Sequence, residues 1–295
     1  MREQFIDREF SASNRDLILN VGTILTEYAK QGYRLSLRQL YYQLVSRDLI
    51  ENTVRSYKRI GDLVSNARLA GLIDWNMIED RGRESVMNSH WKNAAEIARA
   101  AARSFRVDLW KDQPCYVEVM VEKDALSGIL EPVCSRCDVR FTANKGYSSS
   151  SAMYEAGKRI ALAIKGNKEA HLFYLGDHDP SGIDMTRDII DRLELFTYGQ
   201  DIETVRLALN MNQIEEWKLP TNPAKETDSR FAAYLHQFGE SSWELDAVEP
   251  KTLASLVEDA VTELIDDALW QDANDRQEAM RQKLIEFADK TESEK

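Results

Sequence analysis

Between Pro114 and Leu209 the chain alternates short runs of branched and aromatic residues with longer amphipathic runs, and this rhythm limits the fold more than any other feature of the 295 residues. PCYVEVMVEK, VRFTA, AHLFYL and TVRLAL read as strands, with ALSGILEPVCSRC, SSAMYEAGKRIALAI and SGIDMTRDIIDRLELF as the helices between them. Parallel neighbours in a sheet need a crossover connection, usually a helix, so the alternation predicts an α/β unit with a mostly parallel sheet. Ligands of such sheets collect at the carboxyl ends of the strands. Two of these ends are acidic. Glu122 closes the first strand, and HLFYLGDHDPSG sets Asp177 and Asp179 after the third.

The residues before this unit follow a different period. Leu17, Leu19, Val21, Ile24, Leu25 and Tyr28 recur near 3.6 and predict a helix over 13–31. Ser36 is placed to cap a second helix through Arg47, and Ser56 to open a third that runs to about Gly71. The segment IDWNMIEDRGR then mixes branched and turn-forming residues as a β-wing does. Three short helices and a wing describe a winged-helix domain over 1–110, with 56–70 as recognition helix and Lys58, Arg59 and Arg68 as phosphate contacts. A plain three-helix bundle with a solvated basic face fits the same pattern. An Ala- and Arg-rich run over 84–106 predicts a linking helix. The second domain, 111–295, ends in helices over 232–238 and 252–269 and a charged tail that keeps helical spacing.

Charge is uneven along the chain. Residues 1–114 carry 18 Lys and Arg against 15 Asp and Glu, whereas residues 193–295 carry 10 against 23, so most of the net charge of -12 sits in the last third. An N-terminal face for DNA is therefore compatible with an acidic chain. The absence of a long apolar run or an apolar signal core predicts a soluble, cytoplasmic protein without a membrane partner. Cys115, Cys134 and Cys137 predict reduced thiols rather than a disulfide framework.

Glu122, Asp177 and Asp179 carry the chemistry. Asp177 and Asp179, two apart, point to one side of an extended chain. Three converging acids repel one another unless a cation joins them, and hard oxygens with an open shell suit Mg2+ or Mn2+ bridging to a phosphate. The same DxDPSG sequence also suits simple capping of the following helix. In LSLRQLYYQLVSR the apolar stripe is Leu37, Leu40, Tyr41 and Leu44, which assigns Tyr41 to the core. Tyr42 is turned by about 100° and lies one turn from Arg38, so phenol and guanidinium share a face. An adjacent Arg and a nearby Mg2+ favour the phenolate, and the alternative is a surface tyrosine without chemistry.

The Glu and DxD combination resembles the Toprim domain shared by topoisomerases, primases and certain nucleases. A winged helix with R-x-x-[YF]-Y, here Arg38 to Tyr42, joined to a Toprim domain resembles the A subunit of topoisomerase VI and the related meiotic double-strand-break protein. The runs LSLRQLYYQLV, ARLAGLIDW, LPTNPAKETDSR and WELDAVEP are closer still to stand-alone phage or mobile-element Toprim proteins. The resemblance implies a winged-helix plus Toprim fold with a helical C-terminal extension. It implies Mg2+-dependent cleavage of double-stranded DNA, with Tyr42 as the nucleophile that becomes linked to a 5' phosphate and Arg38 as supporting cation. Glu122, Asp177 and Asp179 become the metal ligands, and Lys123, with Lys225, Asp228, Arg230, Glu244 and Asp246 of the shared C-terminal runs, the expected edge of the site. It also implies a homodimer that shares its active sites, and an unidentified partner protein.

The sequence departs from the family where Gly146-Tyr147-Ser148-Ser149 replaces G-[YF]-P-D, and no ATPase sequence is present. A hydrolytic nuclease that uses metal-bound water, and a DNA-binding scaffold without catalysis, are the competing readings.

Overall fold

The computed structural model describes residues 2–79 and 88–293. Helix α1 (Ala12–Lys30) opens on Ser11, whose hydroxyl accepts the Asn14 N–H. A two-residue strand β1 (Leu35–Ser36) leads into α2 (Leu37–Ser46), where Ser36 and Gln39 form a reciprocal capping box. Helix α3 (Val54–Leu69) starts two residues before the predicted Ser56, because the Thr53 hydroxyl takes the Ser56 N–H and caps the turn earlier. These helices bury one core built from Val21, Ile24 and Leu25 of α1, Leu40 and Leu44 of α2, and Ile60 and Val64 of α3. Each such side chain, taken out of water, contributes roughly 1.5–3 kcal/mol before entropy is counted.

The expected wing is different where it is described. Trp75–Met77 is a 3-10 turn, and Ile78–Glu79 (β2) pairs in parallel with β1. Residues 80–83 of that segment and 84–87 of the predicted linking helix lie outside the described residues. The linking helix itself, α4, spans Ala94–Ser104 and is capped by Asn93.

The second unit is the parallel sheet expected from the alternation. Strands β3 (Cys115–Val121), β4 (Arg140–Ala143), β5 (Glu169–Leu175) and β6 (Glu203–Ala208) lie in the order β4-β3-β5-β6, and all neighbours are parallel. Helices α5 (Ser127–Arg136), α6 (Ser150–Lys165) and α7 (Pro180–Phe196) make the crossovers. One face buries Val117, Val119, Phe173 and Leu175 with residues of α5, and the other buries Met120, Leu172 and Tyr174 with residues of α6 and α7.

The C-terminal third returns over both units. Helix α8 (Met211–Trp217), absent from the sequence reading, is followed by a short antiparallel ribbon of β7 (Asn222–Pro223) and β8 (Ser241–Ser242), with α9 (Phe231–Phe238) between its strands. The predicted 252–269 helix is two, α10 (Pro250–Thr262) and α11 (Asp267–Ser293), separated at residues 263–266. Helix α10 covers the α5 face of the sheet through Leu253 and Val257. Helix α11 packs on α4 through Ala288 against Ala95 and Ala98, with Arg99 paired to Asp289 and Glu292. Among the described residues, no helix is long and apolar enough to cross a membrane.

A buried ion pair fixes α6 on the sheet. Glu118 of β3, fully buried, accepts two bonds from Arg159 at 2.8 and 2.9 Å and one from the Tyr116 hydroxyl at 2.5 Å. Removing the guanidinium strands a carboxylate inside the protein, which costs several kcal/mol for a closed pair and less where one partner is part-exposed. Arg159→Met is therefore expected to lower stability by about 2 kcal/mol in urea unfolding, and Glu118→Leu in the same chain to recover most of the loss. A single variant as stable as the wild type contradicts this account.

Candidate active site at the carboxyl edge of the sheet

Glu122 stands one residue beyond β3, and its N–H still donates to Leu175 O of β5 at 2.9 Å. The two strand tips are thus direct neighbours. Glu122 Oε2 accepts the Asp177 N–H at 2.8 Å, which ties the first acid to the loop that bears the other two. That loop is tight because two glycines let it be. A Cβ on Gly176 lies 2.9 Å from the Tyr174 ring and 3.0 Å from Glu122 Oε2, and one on Gly182 lies 2.2 Å from Asp177 O. All three distances are below normal contact, so larger residues force these groups apart.

Asp177 and Asp179 have separate roles in this loop. Asp179 is the N-cap of α7, and its Oδ1 accepts the Gly182 N–H at 2.6 Å and the Ser181 hydroxyl at 3.0 Å. The capping alternative therefore describes Asp179. It does not describe Asp177, which is buried: its Oδ1 accepts the Leu245 N–H at 2.8 Å and its Oδ2 pairs with Lys123 Nζ at 2.5 Å. Among the described residues the three groups do not close into a set whose ligand atoms all lie within 4.8 Å; the set that does is Cys115, Glu169 and His171 at the opposite edge of the sheet. Both oxygens of Asp177 are engaged, whereas the bonds to Glu122 and Asp179 among the described residues use Glu122 Oε2 and Asp179 Oδ1.

Lys123 is the hub. Besides Asp177 it reaches Glu244 Oε2 at 3.0 Å and Asp246 Oδ2 at 3.1 Å. Arg38 of α2 pairs with the same Glu244 and lies 3.5 Å from Asp246 Oδ2. Asp246 lies in a 3-10 turn, Leu245–Ala247, with Glu244 as the residue before it, and Ala247 of this turn belongs to the core of the N-terminal helices. One run of ion pairs thus links α2 to the strand tips within a single chain.

Tyr42 sits in the same wedge. The sequence reading turned it away from the core, yet its side chain is as buried as that of Tyr41, because the C-terminal third covers the face of α2 that the helix alone exposes. Its hydroxyl accepts a bond from Asn222 Nδ2 at 3.4 Å. Asn222 is in turn held by Asn52 at 2.8 Å, and Asn52 accepts the Tyr41 hydroxyl at 2.9 Å.

Electrostatics follow from burial against charge. Burial pushes the Asp177 and Glu122 carboxyls up, while Lys123 opposes the rise in both. Burial alone lowers Lys123, but Asp177, Asp246 and Glu244 together hold it above its ordinary value. Burial works against an ionised Glu244, yet Lys123 and Arg38 hold it below the usual range. The Tyr42 phenol is pushed up to about 12 by burial, with Glu244 adding to the rise and Asn222, Arg38 and Lys123 opposing it.

Three participants were not singled out as site residues from the sequence. Arg206 of β6, half-buried, donates to Gly176 O at 3.0 Å, Asp177 O at 2.5 Å and Gly182 O at 3.1 Å, so one guanidinium holds the whole acidic loop. Its signal was an arginine inside an apolar strand. His178 is caged by Tyr234, Phe238 and Trp243, bonds the Tyr234 hydroxyl at 2.8 Å, and exchanges both backbone bonds with Trp243. Asn222 gave no signal beyond its place in LPTNPAKETDSR.

The remaining expected residues are dispersed. Lys58 and Arg59 of α3 are exposed, and Arg59 donates to Asn14 at 2.9 Å. Arg68 instead lies over the Trp75 ring and donates to Trp75 O at 2.6 Å, which fixes the turn after α3. Arg230 pairs with Asp184 of α7 and Asp228, and lies over the ring of Tyr147, whose hydroxyl donates to Asp184 at 2.6 Å. The altered Gly146 to Ser149 segment and the 228–230 segment therefore meet on α7. Lys225 is exposed.

No protein-family model matches the chain, and no curated protein matches it.

Two outcomes follow. Lys123→Met leaves buried Asp177 and Asp246 without their ammonium, which is expected to cost about 3 kcal/mol without metal. Because a cation can take the vacated place, Mg2+ should raise the thermal midpoint of this variant more than that of the wild type; equal responses refute the shared position. His178, pushed down to about 4 from 6.5 by burial, is neutral in the folded protein. Between these values the unfolded chain takes up a proton that the folded one refuses, so stability is full above pH 6.5 and falls as pH drops toward 4. His178→Phe should flatten this part of a thermal-midpoint profile, and an unchanged slope assigns it to other groups.

Proposed function

We propose that the chain is a Mg2+-dependent DNA strand-cleaving enzyme of the topoisomerase VI A-subunit type, in which Tyr42 attacks a backbone phosphate and becomes linked to its 5' side. The observation that carries the reading is the run of ion pairs from Arg38 through Glu244 and Lys123 to Asp177, since it gathers the phenol, its arginine and the strand-tip acids in one site. Charge balance favours a divalent cation there. Five acids, Glu122, Asp177, Asp179, Glu244 and Asp246, gather about Lys123, Arg38 and Arg206, and Asp246 Oδ1 is buried without a hydrogen-bond partner among the described residues.

The donor set is hard oxygen, which fits Mg2+ or Mn2+. Glu122, Asp177 and Asp179 would hold the ion, and its chemistry would be to neutralise charge on the phosphate and lower the pKa of a bound oxygen. The protein's own part is positional. Arg206 and the two glycines keep the acidic loop against Glu122, Arg38 stands beside Tyr42 where phosphate charge develops, and the exposed Lys58 and Arg59 supply backbone contacts to double-stranded DNA.

A second reading, hydrolysis by metal-activated water, is favoured by one fact: Tyr42 is 4% exposed and its ionisation is suppressed. The deciding experiment incubates end-labelled DNA with protein and Mg2+ and quenches with detergent. Label that stays on the protein, lost in Tyr42→Phe and in Asp177→Asn, is the expected result. Free ends from Tyr42→Phe, with no cutting by Asp177→Asn, would establish hydrolysis instead. The resemblance also implies a homodimer with shared sites. Mixing the two inactive variants tests this: restored cleavage means sharing between protomers, and continued inactivity means that the intrachain ion pairs define the site.

A further inference from the structure

The edge of the sheet opposite the acidic loop carries a second cluster of different chemistry. Cys115 opens β3, Glu169 and His171 open β5, and the register pairs Cys115 with Glu169 and Val117 with His171. Residues two apart on a strand share a face, so Glu169 and His171 project to the side on which Phe173 packs with Cys115 and Val117. The sulfur, a histidine nitrogen and a carboxylate oxygen lie within 4.8 Å of one another. Cys115 and His171 are buried and Glu169 is exposed.

The histidine supplies an independent pointer to a ligand. Its Nδ1 lies 3.1 Å from Glu203 Oε2 at the start of β6, while its Nε2 is buried without a hydrogen-bond partner. The ring is 7% exposed, so water does not compensate that nitrogen freely. A carboxylate on one imidazole nitrogen, with the other left for an ion, is the arrangement that orients histidines toward metals.

We propose that Cys115 Sγ, His171 Nε2 and a Glu169 carboxylate oxygen bind a borderline-soft divalent cation, with Zn2+ the best match and a water in the fourth position on the exposed side. Sulfur and imidazole select such an ion over Mg2+, which separates this site from the all-oxygen set at the other edge. On binding, the Cys115 thiol becomes a thiolate and its proton leaves to solvent. Burial and the neighbouring Glu169 hold the free thiol protonated, so the thiolate forms with the cation rather than before it. The ion joins the starts of β3 and β5 and, through Glu203, that of β6. It lies at the edge of the sheet opposite the acidic loop.

The test uses the full chain, stripped with chelator and titrated first with Co2+ and then with Zn2+. Expected is about one Co2+ per chain with a thiolate-to-cobalt charge-transfer band, displaced by Zn2+ and unaffected by excess Mg2+. Cys115→Ser should remove the band. Glu203→Gln should weaken binding about 10–100-fold, and Glu169→Gln, at an exposed position that does not threaten folding, by about tenfold. Cys134→Ser with Cys137→Ser should leave it unchanged. The proposal is overturned if the wild type shows no saturable Co2+ binding, if the band survives Cys115→Ser, or if Glu169→Gln and Glu203→Gln both bind as tightly as the wild type.

Discussion

Lys123 is the residue through which the two units of this protein act on each other. Its ammonium is shared by Asp177 at the tip of β5 and by Glu244 and Asp246, which belong to the segment that inserts Ala247 into the helical core. A charge removed from water is tolerated only where partners replace its hydration, and three carboxylates do so here. Arg38 pairs with the same two acids from the other side, so the angle between α2 and the sheet is set by ionic geometry as well as by apolar packing. Because Lys123 follows Glu122 directly, any movement of α2 is felt at the strand-tip acids.

The acidic loop shows how two like residues acquire different functions. Asp179 spends one oxygen on the first turn of α7, where the positive end of the helix dipole favours it, and keeps contact with the part-exposed side of the site. Asp177 is drawn inward by Leu245 N–H and Lys123. What separates the two is their partners rather than the chain direction, since His178 forms an antiparallel bridge with Trp243 and Asp179 keeps an extended backbone at the start of α7. Arg206 holds the carbonyls of residues 176 and 177 from the β6 side.

Much of this was legible in the sequence, and the limits have physical causes. The parallel sheet, its three crossovers and the adjacency of Glu122 to the DxD loop follow from local period and strand length, which operate over a dozen residues. The ends of α2 and α7 were equally readable, because Ser36 and Asp179 cap by local bonds. What escaped was long-range. Tyr42 looked exposed because α2 by itself exposes it, and only the ribbon at residues 222 and 242 and the turn at 245–247 cover it. Arg68 looked like a phosphate contact because its helix is basic, whereas Trp75 claims it from seven residues away. Arg206 was hidden for a related reason: an arginine inside an apolar strand makes sense only once the carbonyls it satisfies are in place.

The buried phenol bears directly on how such a site could work. With the Tyr42 hydroxyl pushed up to about 12 by burial, the phenol stays protonated at neutral pH. A tyrosine nucleophile in this environment cannot be ionised in advance, so its proton has to leave as the phosphate arrives. Glu244 is a carboxylate whose charge acts on it, but Lys123 and Arg38 hold Glu244 below the usual range, which makes it a weak base. A phosphate that engages Arg38 would loosen its grip on Glu244, and a cation that engages Asp177 would displace Lys123. Both changes act on the charges around the phenol, so attack would be coupled to the presence of DNA and metal together. Hydrolysis by metal-activated water would share the displacement of Lys123 from Asp177 but would need no parting of Arg38 from Glu244. The two mechanisms therefore place different demands on the same ion pairs: transesterification requires both ends of the network to rearrange, whereas hydrolysis requires only the Lys123 end.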